Sequence, residues 1–278
     1  IRIAMDKFKL TRMAIRRYMN KLKEKGLVEQ RGEKNNATYH LIKFIPSKST
    51  AFEIQFVYNV GEKDESEIWT TDIKKSLSGL NLNLEKICQH GFTEMFNNVI
   101  DHSESNLAIV YINKGEKIIS IKIKDFGIGI FKKISLACHF DDYRESILKV
   151  HQGQFTTDRT RHSGEGIFFT SRVFDQFSIT ANGLFYFKDN LKLDDWYFEH
   201  TEINADSGTE ISMCISIDSR KELMEVFEKY TDPNTFKFNK TEIRISLSKF
   251  NEDSFVSRSQ AKRLLIGLAD YDCIILNF

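Results

Sequence analysis

The sequence predicts an α+β protein, because helical and strand-like patterns are mixed along its 278 residues without the regular strand–helix–strand alternation of a parallel sheet. Hydrophobic residues make up 41% of the chain and include 23 phenylalanines, which can fill a sizeable core. Strand-like segments occur in pairs across short polar turns, as in antiparallel hairpins. Helical segments with closely spaced apolar residues lie between these pairs.

Composition excludes several classes of protein. The sequence has no run of 18 or more apolar residues, so we expect no transmembrane helix, and the first residues lack the apolar segment of a secretory signal. Because the sequence does not begin with Met, we expect a fragment of a longer chain. The four cysteines are widely spaced with no CxxC pair, which argues against a zinc site or a disulfide framework and favours a cytoplasmic location.

The net charge of +1 hides an asymmetry along the chain. Residues 1–45 contain 12 Lys or Arg and 4 Asp or Glu, a net charge of +8. Residues 46–278 contain 28 basic and 35 acidic residues, a net charge of −7. A basic head on an acidic body indicates an anionic partner for the head, with nucleic acid as the first candidate.

The basic head, residues 1–45, is predicted to contain a helix followed by a two-stranded wing. The segment "RMAIRRYMNKLKEKG" places Met13, Ile15, Tyr18, Met19 and Leu22 on one apolar stripe. "LVEQ" and "TYHLI" then flank the turn-rich "RGEKNN" as a hairpin. This pattern resembles a winged helix-turn-helix whose first helix would lie before residue 1. The opposite helix face carries the candidate contacts to duplex DNA, Arg12, Arg16, Arg17 and Lys21. The alternatives are a solvated helix face and a wing domain that binds protein.

The central part, residues 52–230, is predicted to alternate between strands and helices in a layered α+β domain. Strands are expected at 52–60, 107–112, 118–125, 176–181, 184–188, 196–201 and 209–217. Helices are expected at 64–78, 83–102 and 164–175. Residues 131–162 have few apolar runs, so we expect a long mobile segment with one short helix at "DDYRESILKV". Residues 231–278 read as strand, helix and strand, with "TEIRISL" and "CIILNF" as the strands.

Four motifs in this central part indicate a nucleotide pocket. The first is "FTEMFNNVIDHS", where Glu94 and Asn98 are four residues apart and share a helix face with Asp101. An asparagine oxygen is a suitable ligand for Mg²⁺, and a carboxylate one turn away can activate a water molecule. The second is "DFGIGI", with Asp125 at a strand end as an acceptor for an exocyclic amine such as that of adenine. Gly127 and Gly129 would let the backbone pass close to the base and sugar.

The third and fourth motifs supply the phosphate side and a second contact near the base. "HSGEGIFFT" contains Gly164 and Gly166, which would expose backbone N–H groups at a helix N-terminus, a ready site for phosphates. Ser163 and Glu165 adjoin these glycines and are candidates for nucleotide binding. "SGTEISM" offers the Thr209 hydroxyl beside Asp125. Any one motif could be an ordinary turn, but four in this order form a specific pattern.

With these residues the central part resembles the GHKL superfamily, which comprises gyrase, heat-shock chaperones, histidine kinases and MutL and has the Bergerat nucleotide-binding fold. The match comprises Glu94 and Asn98 in E-x-x-x-N, Asp125, Gly127 and Gly129 in D-x-G-x-G, Gly164 and Gly166 in the second glycine box, and Gly208 and Thr209 in the G-T box. The resemblance implies ATP and Mg²⁺ as cofactors, with Asn98 as the metal ligand, Glu94 as the water-activating base and Asp125 as the reader of adenine. It also implies an ATP lid at about 131–162, with Lys132, Lys133, Arg159 and Arg161 as candidate phosphate contacts.

Three histidines near the motifs have simpler interpretations. His102 and His162 are in positions where a catalytic or phospho-accepting residue would be noted, but a polar residue at the edge of the domain explains each of them. His90 is expected to be structural.

Two functions from different classes remain open. The first is an ATP-controlled, DNA-binding switch, a bacterial transcription or defence regulator that is expected to act as a homodimer and to hydrolyse ATP slowly. The second is a serine protein kinase, because residues 231–278 resemble the start of a STAS-like domain found downstream of related ATPases. In that reading a STAS-like partner or the chain's own tail would be phosphorylated, and Ser257 and Ser259 would be the acceptors, although helix N-capping is the simpler role for them.

Overall fold

A computed structural model describes residues 12–24, 28–31, 38–41, 53–153, 164–199, 208–244, 268 and 271–277. The chain divides into two compact units, residues 1–49 and residues 50–278. The described helices are α1 (Arg12–Glu24), α2 (Glu65–Ile68), α3 (Lys74–Ser76), α4 (Leu82–His102), α5 (Ile130–Cys138), α6 (Tyr143–Gln152), α7 (Gly166–Val173) and α8 (Leu223–Tyr230), with a π-helical turn, Trp69–Ile73, between α2 and α3. The described strands are β1 (Val28–Arg31), β2 (Thr38–Leu41), β3 (Glu53–Asn59), β4 (Leu107–Lys114), β5 (Ile118–Asp125), β6 (Gln176–Ala181), β7 (Leu184–Asp189), β8 (Asp194–Glu199), β9 (Thr209–Ser216), β10 (Lys240–Arg244) and β11 (Cys273–Asn277).

The first unit consists, in its described part, of α1 followed by an antiparallel hairpin of β1 and β2. Ile15 and Val28 are buried. Met13, in contrast, is 82% exposed, so its assignment to the apolar stripe was wrong. Residues two apart on a helix point about 200° apart, and Met13 therefore cannot share the face of Ile15.

The second unit is built on an antiparallel sheet of seven strands among the described residues, in the order β3-β4-β5-β9-β6-β7-β8. Side chains alternate along the strands, and in β4 the buried residues are Ala108, Val110 and Ile112. Helices α4 and α7 pack against each other and against the sheet, through β5 and β6 respectively. The core between these layers is rich in phenylalanine, as the composition predicted, and its fully buried rings include Phe92, Phe96, Phe168, Phe169, Phe174 and Phe177. The α+β class with an antiparallel sheet is therefore confirmed.

Residues 131–152 form two helices, α5 and α6, that pack on each other. The helix predicted at "DDYRESILKV" is confirmed as α6, whereas the prediction of no further helix here was wrong, because α5 precedes it. Phe131, Ile134 and Ile147 are at most 3% exposed, so buried apolar residues anchor both helices. Residues 154–163 lie outside the described residues.

The described part of residues 231–277 packs into the same compact unit as the sheet. Strands β10 and β11 pair in parallel, in accordance with the predicted order of strands, while the predicted helix between them lies outside the described residues. The ring of Phe238 packs 4.5 Å from that of Phe168. The hydroxyls of Thr241 and Tyr271 each donate to the Gln152 carbonyl at 2.7 Å. Helix α8, which precedes this part, was not predicted.

Candidate functional site

Helix α4 carries the first motif and presents its polar residues on one side. Asn81 is the N-cap before the first residue of the helix, and its Oδ1 accepts a hydrogen bond from the Leu84 N–H at 2.9 Å. Its buried side consists of Leu84, Ile87, Cys88, Phe92, Met95, Phe96 and Val99. Glu94 and Asn98 are partly exposed, and Asp101 is exposed. The polar residues therefore flank an apolar face and are not buried within the core.

The first and third motifs meet where α7 begins. An ideal Cβ placed on Gly166 would lie 2.1 Å from Glu94 Oε2. The Glu94 carboxylate therefore lies against the first residue of α7, whose N-terminal N–H groups have no partners within the helix. Gly164 has a φ of +72° and Glu165 is the N-cap of α7, while Ser163 lies outside the described residues. A side chain at 166 would displace the Glu94 carboxylate from its position beside the start of α7.

The second and fourth motifs meet at Asp125, the last residue of β5. Its side chain is 3% exposed, and Oδ1 accepts hydrogen bonds from the N–H groups of Gly127 at 2.9 Å and of Thr209 at 3.1 Å. Burial raises the pKa of Asp125, and the bonds from Gly127 and Thr209 oppose this rise. A carboxylate has about four lone-pair sites, so these bonds leave acceptor capacity for a ligand donor.

The glycines beside Asp125 are required by contacts within the protein. A Cβ on Gly127 would lie 1.7 Å from the Ser103 carbonyl oxygen, and a Cβ on Gly208 would lie 2.2 Å from the Asp125 carbonyl oxygen. Backbone at Ser103 and the side chain of Asn182 occupy the space that a Cβ would need at Gly127 and Gly129 respectively. The approach of base and sugar to these two glycines stays a prediction.

The turn after α4 connects the helix to the loop that follows Asp125. The Ser103 carbonyl accepts a hydrogen bond from the Ile128 N–H at 2.8 Å. The Ser105 hydroxyl accepts one from the Phe126 N–H at 3.1 Å. The four motifs are thus joined through α4 and its C-terminal turn. Ser103 and Ser105 were not predicted, because single serines in a turn have no distinctive spacing.

Asn182 is a further site residue that sequence reasoning missed. It lies in the turn between β6 and β7, and its amide bonds the backbone at Ile128 and at Lys132, both at 3.0 Å. The Asn-Gly pair at 182–183 is a hairpin signal. The sequence does not show that this turn reaches a loop more than fifty residues earlier.

The structure describes only some of the histidines and of the candidate lid residues. His90 is largely buried, its ring contacts Phe227 edge-on at 5.5 Å, and burial lowers its pKa to about 4. These contacts support the expected structural role. Lys133 forms an ion pair with Glu104 at 2.5 Å, and Lys132 is partly exposed. Arg159, Arg161 and His162 lie outside the described residues, as do Ser257 and Ser259.

Asn98 is suited to serve as a metal ligand together with a bound nucleotide. Within the described ranges, no group of three or more His, Cys, Asp or Glu side chains is arranged to hold a metal ion. Mg²⁺ at phosphate sites uses one or two protein ligands and takes its other ligands from phosphates and water. The partly exposed Asn98 amide, one turn from Glu94, fits that demand.

The candidate DNA contacts are only partly described. Arg16 and Arg17 are exposed on α1, while Arg12 and Lys21 lie on the same helix with side chains outside the description.

No described helix is long and apolar enough to cross a membrane. Comparison of the chain with protein-family models and with curated proteins finds no match in either case.

Proposed function

We propose that the chain is an Mg²⁺-dependent, ATP-binding switch of the GHKL type that is coupled to a DNA-binding winged helix and hydrolyses ATP slowly. One observation carries the proposal: motifs separated by up to 84 positions meet in pairs, Glu94 with Gly166 and Asp125 with Thr209. A carboxylate beside a helix N-terminus, and a buried carboxylate beside a threonine, are features that a nucleotide site needs.

Each residue has a chemical task in this proposal. Asp125 accepts a hydrogen bond from the exocyclic amine of adenine, and the N–H groups at the start of α7 bind phosphate oxygens. Asn98 contributes a ligand to Mg²⁺, which supplies positive charge to the phosphates when it is bound. Glu94 takes a proton from the attacking water, and the products are ADP and phosphate. The contact of the Glu94 carboxylate with Gly166 supports its role as the base beside phosphates bound at the start of α7.

The proposal is tested by incubating the full chain with γ-labelled ATP and separating the products. Asp125→Asn is expected to weaken ATP binding about 10- to 100-fold, since it replaces a charged acceptor. Glu94→Ala is expected to retain ATP binding and to lose phosphate release. Asp189→Asn is the matched control, because Asp189 is buried and its Oδ1 also accepts two backbone N–H bonds, from Leu191 and Lys192, at 3.0 Å each.

Three outcomes would contradict the proposal. Wild-type affinity for ATP in both Asp125→Asn and Asn98→Ala would rule out the proposed nucleotide pocket. An equal loss of ATP affinity in Asp189→Asn would mean that Asp125→Asn acts by lowering the stability of the protein and not by removing a contact with ATP. Transfer of label to the protein, in place of release of free phosphate, would favour the serine kinase. No contact among the described residues supports that function.

A further inference from the structure

The turn between β6 and β7 has an unusual position for a hairpin turn. Asn182 and Gly183 have φ angles of +49° and +75°, as a tight two-residue turn between right-twisted strands requires. Such turns normally lie at the surface. Asn182 is nevertheless only 5% exposed, so its side chain is committed to contacts inside the protein.

Those contacts are to the backbone that follows Asp125. Asn182 Oδ1 accepts a hydrogen bond from the Lys132 N–H at 3.0 Å, and Nδ2 donates one to the Ile128 carbonyl at 3.0 Å. A donor at one end and an acceptor at the other fix the orientation of the amide. A Cβ on Gly129 would lie 2.4 Å from Asn182 Oδ1, so the amide packs directly on Gly129.

The bond to Lys132 replaces a missing helix cap. Gly129 is the N-cap of α5 and has no side chain to accept a hydrogen bond from the first turn. An N-cap asparagine normally accepts from the second or third residue of the helix. Lys132 is the third residue of α5, and Asn182 accepts from it across the fold. Thr209 Oγ1 accepts from the first residue, Ile130, at 3.0 Å.

We propose that Asn182 is a positioning residue for nucleotide recognition, and this inference rests on the proposed ATP-binding function. The amide fixes the loop between Asp125 and α5, and thereby the orientation of the Asp125 carboxylate toward the base. Asparagine combines an acceptor, a donor and tolerance of a left-handed backbone at this position.

The test compares Asn182→Gly with Asn190→Gly in the full chain. Glycine at 182 retains the turn and removes both hydrogen bonds. Asn190, which follows the other end of β7, is the matched control, because its Nδ2 donates to the carbonyls of Ser171 at 2.8 Å and Phe174 at 2.7 Å, away from the motif loop. Dissociation constants for ATP and GTP are measured together with melting temperatures.

Asn182→Gly is expected to weaken ATP binding about tenfold, as loss of a helix cap and one further bond would. It is also expected to reduce the preference for ATP over GTP, since guanine presents a carbonyl where adenine presents the amine. Asn182→Asp retains the acceptor and loses the donor, and an intermediate loss is expected. Asn190→Gly is expected to lower the melting temperature and to leave both nucleotide measurements unchanged.

Wild-type affinity and nucleotide preference in Asn182→Gly, or the same losses in Asn190→Gly, would overturn the positioning role. If the wild-type chain binds neither ATP nor GTP, the proposed ATP-binding function is wrong. Backbone amide exchange then still tests whether Asn182 caps α5. Asn182→Gly is expected to accelerate exchange at the Lys132 N–H, and an unchanged exchange rate would contradict the cap.

Discussion

Individual residues of the four motifs serve the fold as well as the proposed chemistry. Gly127 and Gly208 are in contact with backbone at Ser103 and Asp125, so a larger residue at either position would distort the backbone at the end of β5 before any ligand is bound. Substitution of these glycines therefore cannot separate loss of binding from loss of structure. Asp125 and Asn98 are better probes, because Asp125→Asn keeps the shape of the side chain and Asn98 is partly exposed.

His90 is expected to make the stability of the second unit dependent on pH. Burial lowers its pKa from 6.5 to about 4, so below pH 6.5 the unfolded chain takes up a proton that the folded chain does not. Stability should therefore fall as the pH falls from about 6.5 to 4, by up to about 3 kcal/mol from this residue. His90→Phe retains an aromatic contact with Phe227 and is expected to flatten that dependence in urea unfolding at pH 7, 5.5 and 4.5.

The control for this pH dependence is His139→Asn, at an exposed position with a φ of +56° that asparagine tolerates. It should leave the slope of the wild-type curve unchanged. A His90→Phe chain with the same slope as the wild type would mean that other groups cause the loss of stability at low pH.

At the scale of elements, the close approach of α4 and α7 is the contact on which the site depends. A Cβ on Gly91 would lie 2.4 Å from the Phe174 ring and 3.1 Å from Met213 Sδ. Phe174 is fully buried, so its ring has little room to move away. Gly91 lies three residues before Glu94 on the same helix, and the spacing of the two helices at Gly91 therefore also sets the position of Glu94 relative to Gly166.

Gly91→Ala is expected to destabilise the protein, although alanine favours helices by about 1 kcal/mol over glycine. Overpacking of a dense core costs about 1–3 kcal/mol, and here the steric term should exceed the helical gain. Urea unfolding should show a net loss of about 1 kcal/mol. In a Phe174→Leu background the same substitution should be neutral or stabilising, and an equal loss in both backgrounds would contradict the proposed contact.

The sequence predicts local elements better than the contacts between them. The alternation in β4 and β5 and the polar motif on α4 were sufficient to place these elements within one or two residues. Helix α6 was expected at "DDYRESILKV", but α5 was missed, because its burial depends on packing against α6. The order of the seven strands and the contact of Asn182 with Ile128 and Lys132 depend on long-range packing, for which a single sequence has no local signal.

At the scale of the whole molecule, the separation into two compact units matches a sharp change in charge. The first 45 residues carry a net charge of +8, and residues 46–278 carry a net charge of −7. An acidic body repels a polyanion, so binding of DNA by the full chain would depend on the basic head. The exposed Arg16 and Arg17 on α1 are the described side chains most suited to that role.

The double substitution Arg16→Ala and Arg17→Ala in the full chain is therefore expected to weaken binding to duplex DNA and to reduce its salt dependence. Each phosphate contact contributes about 0.9 to the magnitude of the slope of log K against log salt, so removal of two should lower that magnitude by about 2. Gel shifts at several salt concentrations measure both quantities. Lys75→Ala with Lys86→Ala is the matched control, since it removes two positive charges from exposed positions of the second unit. Equal changes in the two double variants would indicate a response to net charge alone, whereas a selective change in the first locates the DNA contact on α1.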